Sequence, residues 1–100
     1  MTHRLFIIKL HYIVPIEQVD LFIIPHREHL DAYYQSGHFL ASGPQIPRTG
    51  GIIIAKAKDR AEIEQIMNRD PFSIEKIAKY EIIEFEAIKS SKILEQFWDQ

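Results

Sequence analysis

Two side chains in this chain are suited to moving a proton, His26 and Asp70. Imidazole titrates near neutral pH, so it can take up a proton and return it, and a carboxylate can orient the ring and stabilise its charged form. His26 lies in Pro25-His26-Arg27-Glu28-His29-Leu30-Asp31-Ala32-Tyr33-Tyr34, which Gly37 closes. It precedes Leu30 by four residues, so the two share one helix face, the face that Leu30, Tyr33 and Tyr34 make apolar. A histidine on a buried face needs a polar partner, and Asp70 in Asn68-Arg69-Asp70-Pro71-Phe72 is the best candidate downstream. Between them, Ser42-Gly43-Pro44 interrupts a strand-like segment. Such a break can shape a bulge, and Gly43 lets a ligand approach the backbone closely. The three patches together outline a small-molecule site: His26 and Asp70 as catalytic candidates, Ser42, Gly43 and Pro44 as substrate-binding candidates.

Each candidate also has a purely structural explanation. His26 can bond to backbone groups and only support the fold. Asp70 followed by Pro71 is a natural N-cap and first-turn pair, so its carboxylate can serve backbone donors, alone or alongside catalysis. His26 and His29 stand three apart, a spacing that metal pairs use, but no cysteine and no clear third ligand accompanies them. The expectation is that the site holds no metal and no cofactor. His3, His11 and His38 belong to no motif and read as surface or strand residues.

The elements that must position these groups follow from periodicity. Leu5 to Val14 is rich in β-branched and aromatic residues and ends at Pro15, which predicts a strand. Val19, Phe22 and Ile23 give the next segment a helical stripe, and Pro25 predicts a break before a second helical piece over 25–36. Gly37 suits the position just past that helix. His38 to Ile46 reads as a strand with Phe39, Ala41 and Gly43 on one face, and Pro47 to Gly51 as a turn or loop. Ile52 to Ala57 reads as a buried strand forming a hairpin with it. Asp59 caps a helix over 60–68 with Ile63, Ile66 and Met67 inward. Asp70 opens a further turn or short helix, Lys79 to Ile88 is a last strand, and Ser91 to Trp98 a terminal helix.

The order is β-α-β-β-α-β, the split βαβ or ferredoxin-like pattern, an α+β fold with an antiparallel sheet and both helices on one face. One layer of helices covers one face, yet Leu5, Ile7, Ile52 and Ile54 are apolar alongside Phe6, Ile8 and Ile53 on the alternate positions. A second copy of the chain is the simplest cover, which predicts a homodimer through the sheets; the tail helix folding back is the competing cover.

Composition narrows the class. One hundred residues without repeats or low-complexity segments argue for one domain, residues 1–100, with a core over about 4–88 and a tail helix over about 90–98. The net charge of −2 and dispersed basic residues weigh against nucleic acid or a polybasic membrane surface. The absence of cysteine excludes disulfides and thiolate metal sites. Met1-Thr2-His3-Arg4 leads into the first strand without the apolar stretch of a signal peptide, so a soluble cytoplasmic protein is expected.

The opening strand, His26 with Leu30, Gly37, Ser42-Gly43-Pro44, the glycine-led Gly50-Gly51-Ile52-Ile53-Ile54 and Asp70-Pro71-Phe72 together resemble the YCII-related (YciI-like) family of small α+β proteins. The resemblance covers roughly residues 4 to 88. It implies a ferredoxin-like fold that dimerises through its sheets as a dimeric α/β barrel, and a His–Asp site to which His26 and Asp70 correspond. The family includes a dehydrochlorinase of a chlorinated aromatic ring, which points to lyase or isomerase chemistry on a small molecule. A non-catalytic dimeric binding or accessory protein is the alternative. Pro25 directly before His26 and the tail past Ile88 depart from the family pattern.

Overall fold

The computed structural model describes residues 3–99. Strand β1 spans His3–Tyr12 and lies at the centre of a four-stranded sheet. β2 (Phe39–Pro44), β3 (Gly50–Ala55) and β4 (Ala78–Ala87) complete it in the order β2-β3-β1-β4, every neighbouring pair antiparallel. This is the order that the split βαβ connection produces. β1 pairs along its whole length with β4, from His3 opposite Ala87 to Tyr12 opposite Ala78, and with β3 from Phe6 opposite Ala55 to His11 opposite Gly50. β2 is an edge strand, where Pro44, lacking an N–H, is tolerated.

Helices α1 (Ile16–Leu21) and α2 (Ile23–Gln35) connect β1 to β2. The break falls at Phe22, three residues before the proline that the sequence marked as the breaking point. Pro25 sits instead in the first turn of α2, where an N–H would lack an intrahelical partner in any case, so its missing donor costs nothing. His26 contributes the first full-turn bond, its N–H donating to the Phe22 carbonyl at 3.0 Å. At the other end Gly37 adopts φ 85°, the left-handed conformation of a helix C′ residue, and its N–H donates to the Tyr34 carbonyl. Helix α3 covers Arg60–Asn68 as its periodicity implied: the Asp59 side chain accepts the Glu62 N–H at 2.9 Å, and Ile63, Ile66 and Met67 are buried. A four-residue helix, α4 (Pro71–Ile74), follows at once.

The core lies between the helices and one sheet face. Phe6, Ile8, Leu10, Ile53, Ala55 and Ile82 from the sheet meet Val19, Leu30, Ile63, Ile66, Met67 and Phe72 from the helices. β2 does not keep simple alternation. The register shifts between Phe39 and Ala41, so Phe39 (opposite Ala55), Ser42 (opposite Ile53) and Pro44 (opposite Gly51) fall on the core-side face together. The irregularity is thus at Leu40 rather than at Gly43-Pro44, and Phe39 parts from Ala41 and Gly43. A bulge depends on the pairing partner, which local alternation does not contain.

The opposite sheet face holds Ile54, Ile7 and Ile83 in one row across three strands, with Leu5 opposite Phe85 beside it. Ile83 and Phe85 are 44% and 43% exposed. The tail covers one end of this face as a 3₁₀ turn at Lys92–Leu94 followed by α5 (Glu95–Trp98), shorter than a continuous helix from Ser91. Trp98 stacks on His3 at 4.4 Å between ring centroids, and Lys56 donates to the Phe97 carbonyl with its ammonium 4.9 Å from the Phe97 ring. No helix among the described residues is long and apolar enough to cross a membrane.

One close approach pins the β2–β3 connection. A Cβ on Gly50 would lie 1.7 Å from the Leu10 carbonyl oxygen, inside any permitted contact. The Tyr12 N–H donates to the Thr49 carbonyl at 3.1 Å and the Gln45 N–H to the Gly50 carbonyl at 2.8 Å, closing the loop onto β1. Gly50→Ala therefore forces the strands apart and is expected to cost about 3 kcal/mol or more in urea unfolding. A variant as stable as the wild type would contradict this tight crossing.

Candidate functional site

Asp70 occupies the junction of α3 and α4. Its N–H donates to the Met67 carbonyl at 3.2 Å, completing the end of α3, and its own carbonyl accepts the Ser73 and Ile74 N–H groups, opening α4. Its side chain is wholly buried. Oδ1 accepts the Phe72 N–H at 2.9 Å, which is the N-cap bond of α4, and also meets His26 Nδ1 at 2.8 Å. With Oδ1 as the acceptor, the shared proton sits on Nδ1, and Nε2 is the ring nitrogen outside the pair. The capping and histidine-orienting roles of Asp70 thus coexist on one oxygen.

The His26 ring is fixed a second way. It stacks on Phe72 at 3.9 Å between centroids and 1° between planes. Phe72 in turn meets Tyr12 edge-on at 6.1 Å. One short segment, Asp70-Pro71-Phe72, therefore supplies both the hydrogen-bond partner and the flat support of the imidazole.

His26 lines a cavity of about 560 Å³ between the helices and the sheet. Its apolar walls include Leu10, Ile23, Leu30, Ile53 and Phe72. Ser42, Gly43 and Pro44 line it as well, on the β2 side. The Ser42 hydroxyl is bonded to the Tyr34 hydroxyl at 2.6 Å, which ties α2 to β2. A Cβ added at Gly43 would meet nothing within 4 Å, so no neighbour in the chain demands glycine there. Four of the five residues singled out in the sequence thus line one cavity, and the fifth, Asp70, is bonded to His26.

Four further groups at the cavity escaped sequence reasoning: Tyr12, Asp20, Arg27 and Arg48. Arg48 Nη2 donates to Asp20 Oδ1 at 2.7 Å and its guanidinium lies 5.8 Å from the centroid of the Tyr12 ring. The available signal for Arg48 was a lone charged residue inside a Pro- and Gly-rich turn beside Ser42-Gly43-Pro44. Arg27 had the weaker signal of adjacency to His26.

His29 lies three residues beyond His26 on the same helix. Its ring is half-buried, and burial pushes its pKa below the usual 6.5, outweighing the raising effects of the Asp70 carboxylate and of a hydrogen bond to the Ile66 backbone. His29 Nε2 and Asp70 Oδ2 are buried without a hydrogen-bond partner. Among the described residues, no three histidine, aspartate or glutamate side chains gather as metal ligands would.

Comparison with known proteins agrees with this architecture. Residues 6–86 match the YCII-related domain, and the chain belongs to that family. No curated protein sequence matches it significantly. Among solved structures it is similar to 5-chloro-2-hydroxyhydroquinone dehydrochlorinase from Burkholderia phenoliruptrix AC1100, in complex with 2,5-dihydroxybenzoquinone. The likeness has a TM-score of 0.64 and 18% identity, and covers 89% of this chain and 97% of that one. At that identity it establishes the common fold.

The depressed pKa of His29 has a consequence for stability. A buried neutral histidine binds its proton less readily than the unfolded chain does, so the unfolded state gains protons first as pH falls. Stability is therefore full above pH 6.5, the unfolded value, and falls as pH drops from there toward the lower folded value. Replacing His29 by Phe should flatten this decline below pH 6.5 in urea midpoints. An unchanged slope would assign the acid sensitivity elsewhere.

Proposed function

We propose that this protein is a cofactor-free enzyme of lyase or isomerase type acting on a small ring compound, with His26 as general base and Asp70 as the group that orients it. The observation that carries the proposal is the 2.8 Å contact between His26 Nδ1 and the buried Asp70 carboxylate beside the cavity. In the proposed step His26 Nε2 removes a proton from a hydroxyl or carbon of the ligand. The electron pair left behind forms a new double bond. In an elimination a leaving group departs with its own bonding pair; in an isomerisation the proton returns at a second carbon. Asp70 stabilises the imidazolium that forms, and Phe72 keeps the ring in plane. Ser42, Gly43 and Pro44 form the ligand-facing edge of β2 in this scheme. The solved structure of similar fold is a dehydrochlorinase in complex with a hydroxylated quinone, which supports a small ring compound as the ligand class.

The alternative, a binding or accessory protein, rests on the fact that His26 and Asp70 already bond each other and the α4 cap within the fold. Substitutions chosen by geometry separate the two. Asparagine at 26 places an amide N–H where Nδ1 stands, keeping the donor to Asp70 while deleting Nε2. Turnover of chlorinated or hydroxylated ring compounds should fall by about 10²- to 10⁴-fold in His26→Asn, the usual contribution of a general base, with the urea midpoint little changed. His26→Ala should likewise lose turnover and remain folded. Retained turnover in either variant would sink the base assignment, and unfolding of both would assign His26 a structural role.

We also propose that the working form is a homodimer through the sheet face bearing Ile7, Ile54, Ile83 and Phe85. A half-exposed apolar row of this kind supports burial against a second copy, since the tail covers only one end of it. Sedimentation velocity at micromolar concentration should report a dimer. A monomer there would overturn this assembly, and Phe85→Glu is expected to produce one.

A further inference from the structure

The cavity has one wall that proton transfer does not use. Arg48, on the β2–β3 loop, and Asp20, on α1, approach each other at its mouth with a 2.7 Å ion pair. The loop that carries Arg48 is not free to wander. Its ends are tied by the Tyr12–Thr49 and Gln45–Gly50 backbone bonds, and Gly50 is wedged against the Leu10 carbonyl. The loop backbone is thus held in place, while the Arg48 side chain is half-open to solvent, with an exposure of 38%. The hydrogen bond to Asp20 reinforces its positive charge.

We propose that Arg48 is the specificity-determining group of this cavity, selecting small planar ligands that carry one anionic oxygen group, with Asp20 as the internal counter-ion that such a ligand displaces. The inference rests on the His26 reading only in taking the cavity as the ligand site.

Three observations support it. First, the charge inventory of the lining is unbalanced: Arg27 and Arg48 face one acid, Asp20. Second, the route from base to cation is paved with flat rings. His26 stacks on Phe72 at 3.9 Å, Phe72 meets Tyr12 at 6.1 Å, and Tyr12 lies 5.8 Å below Arg48. A single-ring ligand resting on this wall would meet aromatic and aliphatic surface over its body, within a cavity that both His26 and Arg48 line. Third, arginine offers a planar fork of donors that matches a carboxylate or an ionised ring oxygen in two-point contact. The Asp20 carboxylate already reaches the guanidinium through one oxygen, 2.7 Å from Nη2, so an acid can be seated there. Exchange of one carboxylate for another leaves the guanidinium paired in both states, so ligand entry strands no charge.

The pair therefore acts as a filter. A neutral ring must enter past a closed ion pair and gains nothing from Arg48. An anionic ring replaces Asp20 and gains a charge-assisted contact. Asp20, pushed off, stays in solvent at its half-exposed position on α1, which makes the exchange cheap.

Benzoate and benzamide, alike in shape and different in charge, test this by ligand-observed and protein-observed NMR titration of the full chain. Wild type should bind benzoate at least about tenfold more tightly than benzamide, with the preference shrinking as salt rises. Arg48→Gln should abolish the preference, and Arg48→Lys should keep part of it. Asp20→Asn, which frees Arg48, should tighten benzoate several-fold and leave benzamide unchanged. Resonances of residues on the cavity wall, such as Leu10 and Ile53, should shift in each case where binding occurs. Equal affinity for the two probes in wild type, absence of saturable binding of either, or a preference that survives Arg48→Gln would overturn the proposal. His26→Asn provides the separation from the catalytic reading. If it loses turnover while its benzoate preference persists, both stand; if turnover persists, the base assignment fails while the charge filter remains.

Discussion

A single buried carboxylate holds the working half of this fold in register. Desolvating a carboxylate costs several kcal/mol, which must be offset by good hydrogen bonds. Asp70 meets that demand with two donors on one oxygen, the Phe72 N–H and His26 Nδ1. The first bond fixes where α4 starts and hence where the Phe72 ring lies; the second fixes α2 against α4. The ring that results from the first bond then supports the imidazole engaged in the second. Remove the charge and the cap survives in an asparagine, because an amide oxygen also accepts an N–H. Remove the side chain and both contacts go at once.

That coupling explains why part of the site was legible in one dimension. Asp70-Pro71 is a helix-start signal that depends only on neighbours in sequence, and Asp59 before α3 is another; both caps form as their spacing implied. His26 faces inward because Leu30 does, four residues on. The meeting of His26 with Asp70 was not deducible from topology, since two antiparallel layers allow several offsets between the helices. It needed the added turn of chain that Asp70 itself begins. The helix break was displaced for a related reason: a proline in a first turn and a proline at a break look alike until the bond of the next residue, His26 N–H to the Phe22 carbonyl, is seen.

The features that stayed hidden are non-local. The shift of register between Phe39 and Ala41 is defined by β3, and it decides that Ser42 and Pro44 share the core-side face with Phe39. Arg48 reads as one more polar residue in a turn until Gly50 is seen to lie against Leu10, 40 positions earlier in the chain. The sheet shows the same limit. The period-two pattern of β1 correctly marks both faces as apolar, but the share of the outer face covered by the tail follows from Trp98 on His3 and Phe97 at Lys56, contacts no periodicity contains.

The division of labour between the two ends of the cavity follows from burial. At the His26 end, the Asp70 carboxylate is enclosed, doubly bonded and part of helix capping, so a substitution that breaks its bonds changes stability together with chemistry. At the Arg48 end, the ion pair is half-exposed and screened, and exposed pairs of this kind contribute little to stability. The fold can therefore exchange Arg48 or Asp20 for other residues at small thermodynamic cost, while the loop that carries Arg48 keeps its path through backbone bonds and Gly50. Under the proposed function, a scaffold built this way would confine proton transfer to its interior and leave ligand preference to a loop and a short helix that the core does not require. Two proteins of this architecture could then share the His–Asp pair yet bind ligands of different charge.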